Sequence, residues 1–372
     1  MPVNSRNEEI AVDLAYGGGH FETVWNSGET TLHLTTPLRL DRSSENYSFS
    51  VAALSKVQLK ESSVREVFLR GENETRVGWL IPANALSSID HDFVENIHFL
   101  RYAFVTLRDV LNTKPGWYRS SAAEALARGV VNLPFSDLFD DSVCFLVVCT
   151  DLVDGKYEFD RLLPGLISNG YVPMTSDPSS LEWTGTATEP DSSKLKLQAI
   201  GSGITHPQIP ARLMSTAAVS SGSLVTQFFY LYQVVEFLLE EVLYDVLPSI
   251  GKGIVAAIDD ERYSGLRDQL EALNTQLSER ARLKLLMKSF VGSDKAFGRL
   301  EAASLDFLEK VNIAPKPGID SLYQVRNFII HQVRNMPSNA EEPLRQVTIE
   351  LASFLAEVLA SFKRHASEQP PS

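Results

Sequence analysis

Cysteine is almost absent. The 372 residues hold two, Cys144 and Cys149, so a disulfide framework is not how this chain is held together. Both flank Phe145–Val148 in a stretch that reads as a buried strand. Five residues apart on a strand they point to opposite faces, as small core residues do. Long apolar runs are also missing. No stretch of 18 clean apolar residues occurs, and Met1-Pro2-Val3-Asn4-Ser5-Arg6 has no apolar signal segment, so neither a membrane span nor secretion is expected and the cytoplasm is. Basic residues are fewer than acidic ones, 34 against 47, for a net charge of −13. A chain so acidic is a poor fit for broad, sequence-independent nucleic-acid binding. No Cys-x-x-Cys pair, His-Glu-x-x-His, Gly-x-Ser-x-Gly or P-loop appears. No metal and no cofactor is expected.

The composition that remains is that of a folded protein: 44% apolar and 22% charged, long enough for two domains. The reading is an α+β, strand-rich domain over residues 1–175, a linker-like segment over 176–214 and an all-α helical bundle over 215–368. In the first domain, β-rich stretches recur at Ile10–Leu14, Thr31–Thr36, Tyr47–Val51, Val57–Lys60, Val64–Leu69, Arg76–Ile81 and Val143–Thr150, separated by turn residues. One helix is expected from His91 to Leu111 and a shorter one at Phe159–Ser168. The middle segment is rich in Ser, Thr, Pro and Gly, with one strand expected at Lys194–Ile200. Gly17-Gly18-Gly19-His20 is a turn, since no Lys-Ser/Thr follows. Asp90-His91-Asp92 with His98 is more simply a helix start capped by Asp90 than a metal site.

The second domain is helical throughout. Helices are expected at 223–247, 264–290, 294–312, 319–336 and 340–366, from apolar residues at helical spacing such as Leu231, Val234, Val235 and Leu238, or Leu344, Val347, Leu351, Phe354, Val358 and Phe362. Short turns make neighbours antiparallel. The 319–336 helix follows Pro315, Pro317 and Gly318 and ends at Pro337. Leu322, Val325, Ile329, Val333 and Met336 form its apolar stripe. Asn327, His331 and Arg334 are expected together on the other face, with Arg326 at the edge of the stripe, its stem on apolar surface. An imidazole, an amide and two guanidiniums on one rigid support can move a proton near neutral pH and grip a phosphate. Glu236 and Gln233 are polar exceptions on the first, very apolar helix; each is either a satisfied polar group or one that faces the motif helix, and Glu236 is a candidate to orient Arg326 as much as a plain surface or network residue. Arg280, Arg282, Lys284 and Lys288 form a local basic run, more simply a solvated face.

Arg326-Asn327-Phe328-Ile329-Ile330-His331 meets the pattern R-N-x-x-x-H and resembles the signature of the HEPN superfamily. The resemblance covers about residues 215–368. It implies metal-independent RNA cleavage, with Arg326, Asn327 and His331 as the catalytic set and Glu236, Gln233 and Arg334 in support. It further implies a homodimer with one composite cleft, and products ending in a 2′,3′-cyclic phosphate and a 5′-OH. An anti-phage or toxin-type effector is then expected, its first domain sensing a regulatory ligand or restraining the activity. Two rivals stand beside it. One is a toxin neutralised by a separate nucleotidyltransferase antitoxin, for which Tyr323 is a modifiable neighbour. The other is a non-catalytic dimerisation or nucleotide/RNA-binding module.

Overall fold

A computed structural model describes residues 15–17, 20–25, 30–43, 47–57, 59–70, 74–111, 132–153, 158–174, 181–185, 193–220, 222–259, 263–290 and 294–363. The expected Ile10–Leu14 strand lies outside them. The chain divides into two compact units, residues 1–158 with 170–197, and residues 159–169 with 198–372.

The first unit is strand-rich. Strands β1 (Ala15–Gly17), β2 (His20–Trp25), β3 (Thr30–Thr35) and β7 (Asn132–Pro134) form one sheet in that order. Strands β1 and β2 pair antiparallel, with Gly17 opposite His20. The second sheet combines β4 (Phe49–Ser55), β5 (Arg65–Leu69), β6 (Thr75–Pro82), β8 (Val143–Cys149), β9 (Val172–Pro173) and β10 (Lys194–Leu197). Its order is β10-β5-β6-β8-β4-β9, with only β10 parallel to its neighbour. Strand β8, Val-Cys-Phe-Leu-Val-Val-Cys, is buried at every position, because a central strand covered on both faces needs no polar alternation. Helix α1 (Ile97–Leu111) packs on β4, β6 and β8, and joins Phe99, Ala103 and Leu107 to Trp79, Ile81, Phe145 and Val147 in one core. It starts six residues later than expected. Asn96, not Asp90, caps it: its side-chain oxygen accepts from the His98 and Phe99 amides at 3.0 and 3.2 Å. Of the expected Val57–Lys60 strand, the described residues Val57, Leu59 and Lys60 are not in a strand, and a 3-10 turn follows at Glu61–Ser63.

The second unit is helical: α2 (Phe159–Ser168), α3 (Gln208–Val219), α4 (Leu224–Asp259), α5 (Tyr263–Leu277), α6 (Glu279–Phe290), α7 (Asp294–Lys310), α8 (Ile319–Gln332) and α9 (Glu341–Ser361). Helix α9 is its centre, packing against α2, α4 and α7. All six of its expected apolar positions, including Phe362 just past its end, are buried.

Four expectations need correction. Helix α2 belongs here rather than with the strands. It packs on α3 and α9, and Arg161 Nη1 donates to the Ile200 and Gly201 carbonyls at 3.2 and 3.3 Å. The 176–214 segment is not simply a linker, because α3 begins inside it. Pro207 and Pro210 stand at and in its first turn, where a proline lacks no needed N–H, and Ala211, Met214 and Ala217 give it a buried face. Helix α4 runs on past Pro248 to Asp259, and at Gly253 a β-carbon would meet the Gln269 side chain of α5 at 2.7 Å. The expected 264–290 helix is two, broken at Ser278. No helix among the described residues is long and apolar enough to cross a membrane.

Candidate functional site

Helix α8 is positioned before any of its polar residues acts. Gly318, at φ 71°, makes the left-handed entry that other residues resist, and its amide donates to Glu301 Oε1 at 2.5 Å. Gln324 ties the preceding loop to the helix, accepting from the Lys316 amide at 2.7 Å and donating to the Ala314 carbonyl at 3.0 Å. Leu322, Val325, Phe328 and Ile329 face the core, and Phe328 meets the Phe307 ring of α7 edge-on at 5.6 Å. Phe328 widens the expected stripe. Val333 and Met336, at its far end, are only half-buried, because the α-helix stops at Gln332 and a 3-10 turn follows at Val333–Asn335.

Arg326 leans over a cradle supplied by α4 and α6. Its guanidinium carbon is 5.8 Å from the Tyr232 ring centroid. Its Nη2 is 3.9 Å from Glu236 Oε1, and its Nε is 3.9 Å from Glu279 Oε1. Neither carboxylate is within hydrogen-bond distance. The Tyr232 hydroxyl donates to Glu279 Oε1 at 2.7 Å. Arg326 Nη1 donates to Asn327 Oδ1 at 3.2 Å, while its Nε is shut off from solvent without a hydrogen-bond partner. Burial, and then the bond to Glu279, push the Tyr232 hydroxyl far above the usual phenol range, so it stays a donor.

The expected residues are therefore only partly gathered. Arg326 and Asn327 are in contact, and Glu236 lies 3.9 Å from Arg326. His331 is exposed in the last turn of α8, one turn beyond Asn327, and its side chain makes no hydrogen bond or ion pair among the described residues. Gln233 is half-buried on α4, and no contact joins it to Arg326. Arg334 lies past the end of α8, exposed in the 3-10 turn Val333–Asn335. Gln332, at φ −132° and ψ 8°, leaves helical geometry, so a spacing of 100° per residue no longer holds there. The basic run divides. Arg280 binds Asp320 through both ends of its fork, Arg282 has its Nε buried without a partner, and Lys284 and Lys288 are exposed. Tyr323 is half-buried.

Two members were missed, Tyr232 and Glu279. Tyr232 stands one turn before Glu236 on α4, so helical spacing from Glu236 leads to it. Glu279 carries no such signal, because only the docking of α6 brings it to Arg326. In the first unit, His91 packs against Phe99 at 5.0 Å, and its Nδ1 accepts from the Phe93 amide. Among the described residues, no three metal-binding side chains cluster.

The site thus holds a guanidinium kept in place by an aromatic face and two carboxylates at a distance, with an amide beside it and an exposed imidazole a turn away. Such a set can bind a phosphate and exchange a proton with solvent-side substrate. Comparison with family models, with curated proteins and with solved structures gives no match.

Proposed function

We propose that the helical unit is a HEPN-like, metal-independent endoribonuclease that works as a homodimer, with the strand-rich unit sensing a ligand or restraining the activity. One observation carries the reading. Arg326 is held by contacts that leave it without a hydrogen bond to either nearby carboxylate, since both stand at 3.9 Å. An arginine that served only to tie helices together would close on one of them, as Arg280 does on Asp320. Arg326 then meets the scissile phosphate and offsets the charge that grows on the phosphorane. Asn327 holds the guanidinium and offers a second polar contact. His331 takes the proton from the ribose 2′-OH, and the histidine of a second copy protonates the leaving 5′-oxygen. The pairing has support on the surface. Ile330 and Phe229 are large apolar side chains left 41% and 47% exposed. Ile330 stands one turn after Arg326, and Phe229 lies on the α4 face of Tyr232 and Glu236.

A second reading rests on His331. A catalytic imidazole is normally oriented by a partner on its other nitrogen, and His331 has none within the described residues. On that reading the unit is a non-catalytic dimerisation or RNA-binding module. A toxin silenced by an antitoxin that modifies Tyr323 would share the first mechanism. The test is RNA cleavage in EDTA by the full chain, with Arg326→Ala, Asn327→Ala and His331→Ala beside it. Cleavage that survives EDTA, leaves cyclic-phosphate ends and falls at least a hundredfold in the Arg326 and His331 variants, on the order expected for a lost proton-transfer group, supports the ribonuclease. Activity unchanged by His331→Ala ends that reading and favours the binding module. In cells, growth arrest by the wild type but not by His331→Ala supports the effector role.

A further inference from the structure

Glu279 is the closest carboxylate to Arg326 Nε, yet the two do not bond. The reason is on the other side of the carboxylate. The same oxygen that stands 3.9 Å from Nε accepts the Tyr232 hydroxyl at 2.7 Å. Tyr232 is anchored in its own right: its ring stacks on Phe228 at 5.9 Å and is almost fully buried. Its hydroxyl is thus a fixed donor, while Glu279 heads the first turn of α6 on a three-bond side chain that can swing. Buried nitrogens rarely go without a partner, and Arg326 Nε does so with an acceptor about one ångström too far away.

We infer that Tyr232 is a positioning residue that holds Glu279 off Arg326 and so keeps the guanidinium available to an incoming phosphate. Without the hydroxyl, Glu279 closes on Nε and forms the charge-assisted bond that the tyrosine now prevents. A phosphate group must then compete with an internal carboxylate for the same cation. Glu279 is the switchable half of the pair and Tyr232 the restraint. The kinetic consequence rests on the ribonuclease reading above; the geometric one does not.

The experiment uses the full chain as Tyr232→Phe, Glu279→Gln and the double variant, with two readouts. The first is the Arg326 Nε–H resonance in an arginine-labelled NMR spectrum, assigned by its loss in Arg326→Lys. Tyr232→Phe keeps the stacked ring and is expected to shift this resonance downfield and slow its exchange with water. The second is steady-state RNA cleavage. Tyr232→Phe is expected to raise KM about fivefold to tenfold with kcat little changed, the scale of one charged hydrogen bond. Glu279→Gln alone is expected to lower KM, because it takes away a carboxylate that faces the guanidinium. Adding Glu279→Gln to Tyr232→Phe restores KM, because a neutral amide forms no ion pair with the guanidinium and competes only weakly with a phosphate. A tyrosine needed only for packing would give a loss that the second substitution does not rescue. An unshifted Nε resonance in Tyr232→Phe, or an unrescued double variant, overturns the inference. If the wild type cuts no RNA, the ribonuclease reading falls by itself, and the Nε resonance alone decides whether Tyr232 restrains Glu279.

Discussion

Arg280 closes its fork on both carboxylate oxygens of Asp320, tying the start of α6 to the first turn of α8. The pair sits one residue from Glu279, so it fixes the helix that lines one side of the Arg326 cradle. The hydrogen bond from Arg280 holds the Asp320 carboxyl below its usual 3.8. A carboxyl lowered by folding adds stability above its unfolded pKa and loses it as the pH falls through the folded one. Asp320→Asn is therefore expected to lower Tm by a few degrees at pH 7, and the difference should shrink as the pH drops below 3.8. Thermal melts at pH 7 and pH 3 check this. A difference that stays constant across that range would mean that the ion pair is not what joins the helices.

If Ile330 and Phe229 form part of a dimer face, a charge there should separate the copies without unfolding either. Surface substitutions away from special features change stability by about 0.5 kcal/mol or less. Ile330→Asp and Phe229→Asp are expected to give monomers by sedimentation, with Tm near that of the wild type. RNA cleavage should fall by roughly thirtyfold or more, as when an interface anchor is lost. A fully active monomer would show that one copy carries both proton-transfer groups.

What could be read from the sequence follows the range of the forces involved. Helix α9 was legible in its start and its buried face, because Leu344, Val347, Leu351 and Phe354 repeat at the period that buries one side, although the helix ends at Ser361 rather than 366. Strand β8 was legible because seven buried positions in a row leave few alternatives. Helix α3 was not, because the serines, threonines and prolines around 207–220 carry a loop composition, and only contact with α2 and α4 gives its alanines a face to cover. The break at Ser278 escaped because the leucines on both sides keep helical spacing. At the site, Arg326 and Asn327 were found from their place on one helix, and Glu236 from its oddness on an apolar one. Glu279 depends on the docking of α6 and has no local trace. The helix expected to reach residue 336 stops at Gln332, where the backbone leaves helical geometry without a proline or glycine to mark it.

The edge-on contact of Phe307 and Phe328 is what sets α8 against α7. Phe307 has no exposed surface, so its removal leaves a cavity as well as a lost apolar contact. Phe307→Ala is expected to cost about 3–5 kcal/mol of folding free energy in denaturant unfolding. Phe307→Leu should cost less and leave RNA cleavage measurable. If Phe307→Leu keeps its stability yet loses RNA cleavage, the ring matters for the angle of α8 rather than for burial alone.

Lys56 offers a test of opposite sign in the strand-rich unit. Its ammonium lies 4.2 Å from the Tyr171 ring centroid. Burial first, and then the charge of Arg65, pull its pKa from 10.5 to about 8. A base lowered by folding costs stability wherever it must carry its proton in the folded state. That cost is fully present below about pH 8, and it fades as the pH rises towards 10.5, where the unfolded chain also gives up the proton. Lys56→Met keeps the length of the side chain and removes the charge. It is expected to raise stability at pH 7 by on the order of 1–3 kcal/mol, less whatever the ring contact contributes, and the gain should shrink between pH 8 and pH 10. Denaturant melts of wild type and variant across that range give the answer. A gain that does not change with pH would come from packing alone, whereas a loss at pH 7 would mean that the charge is held by an interaction stronger than the burial that opposes it.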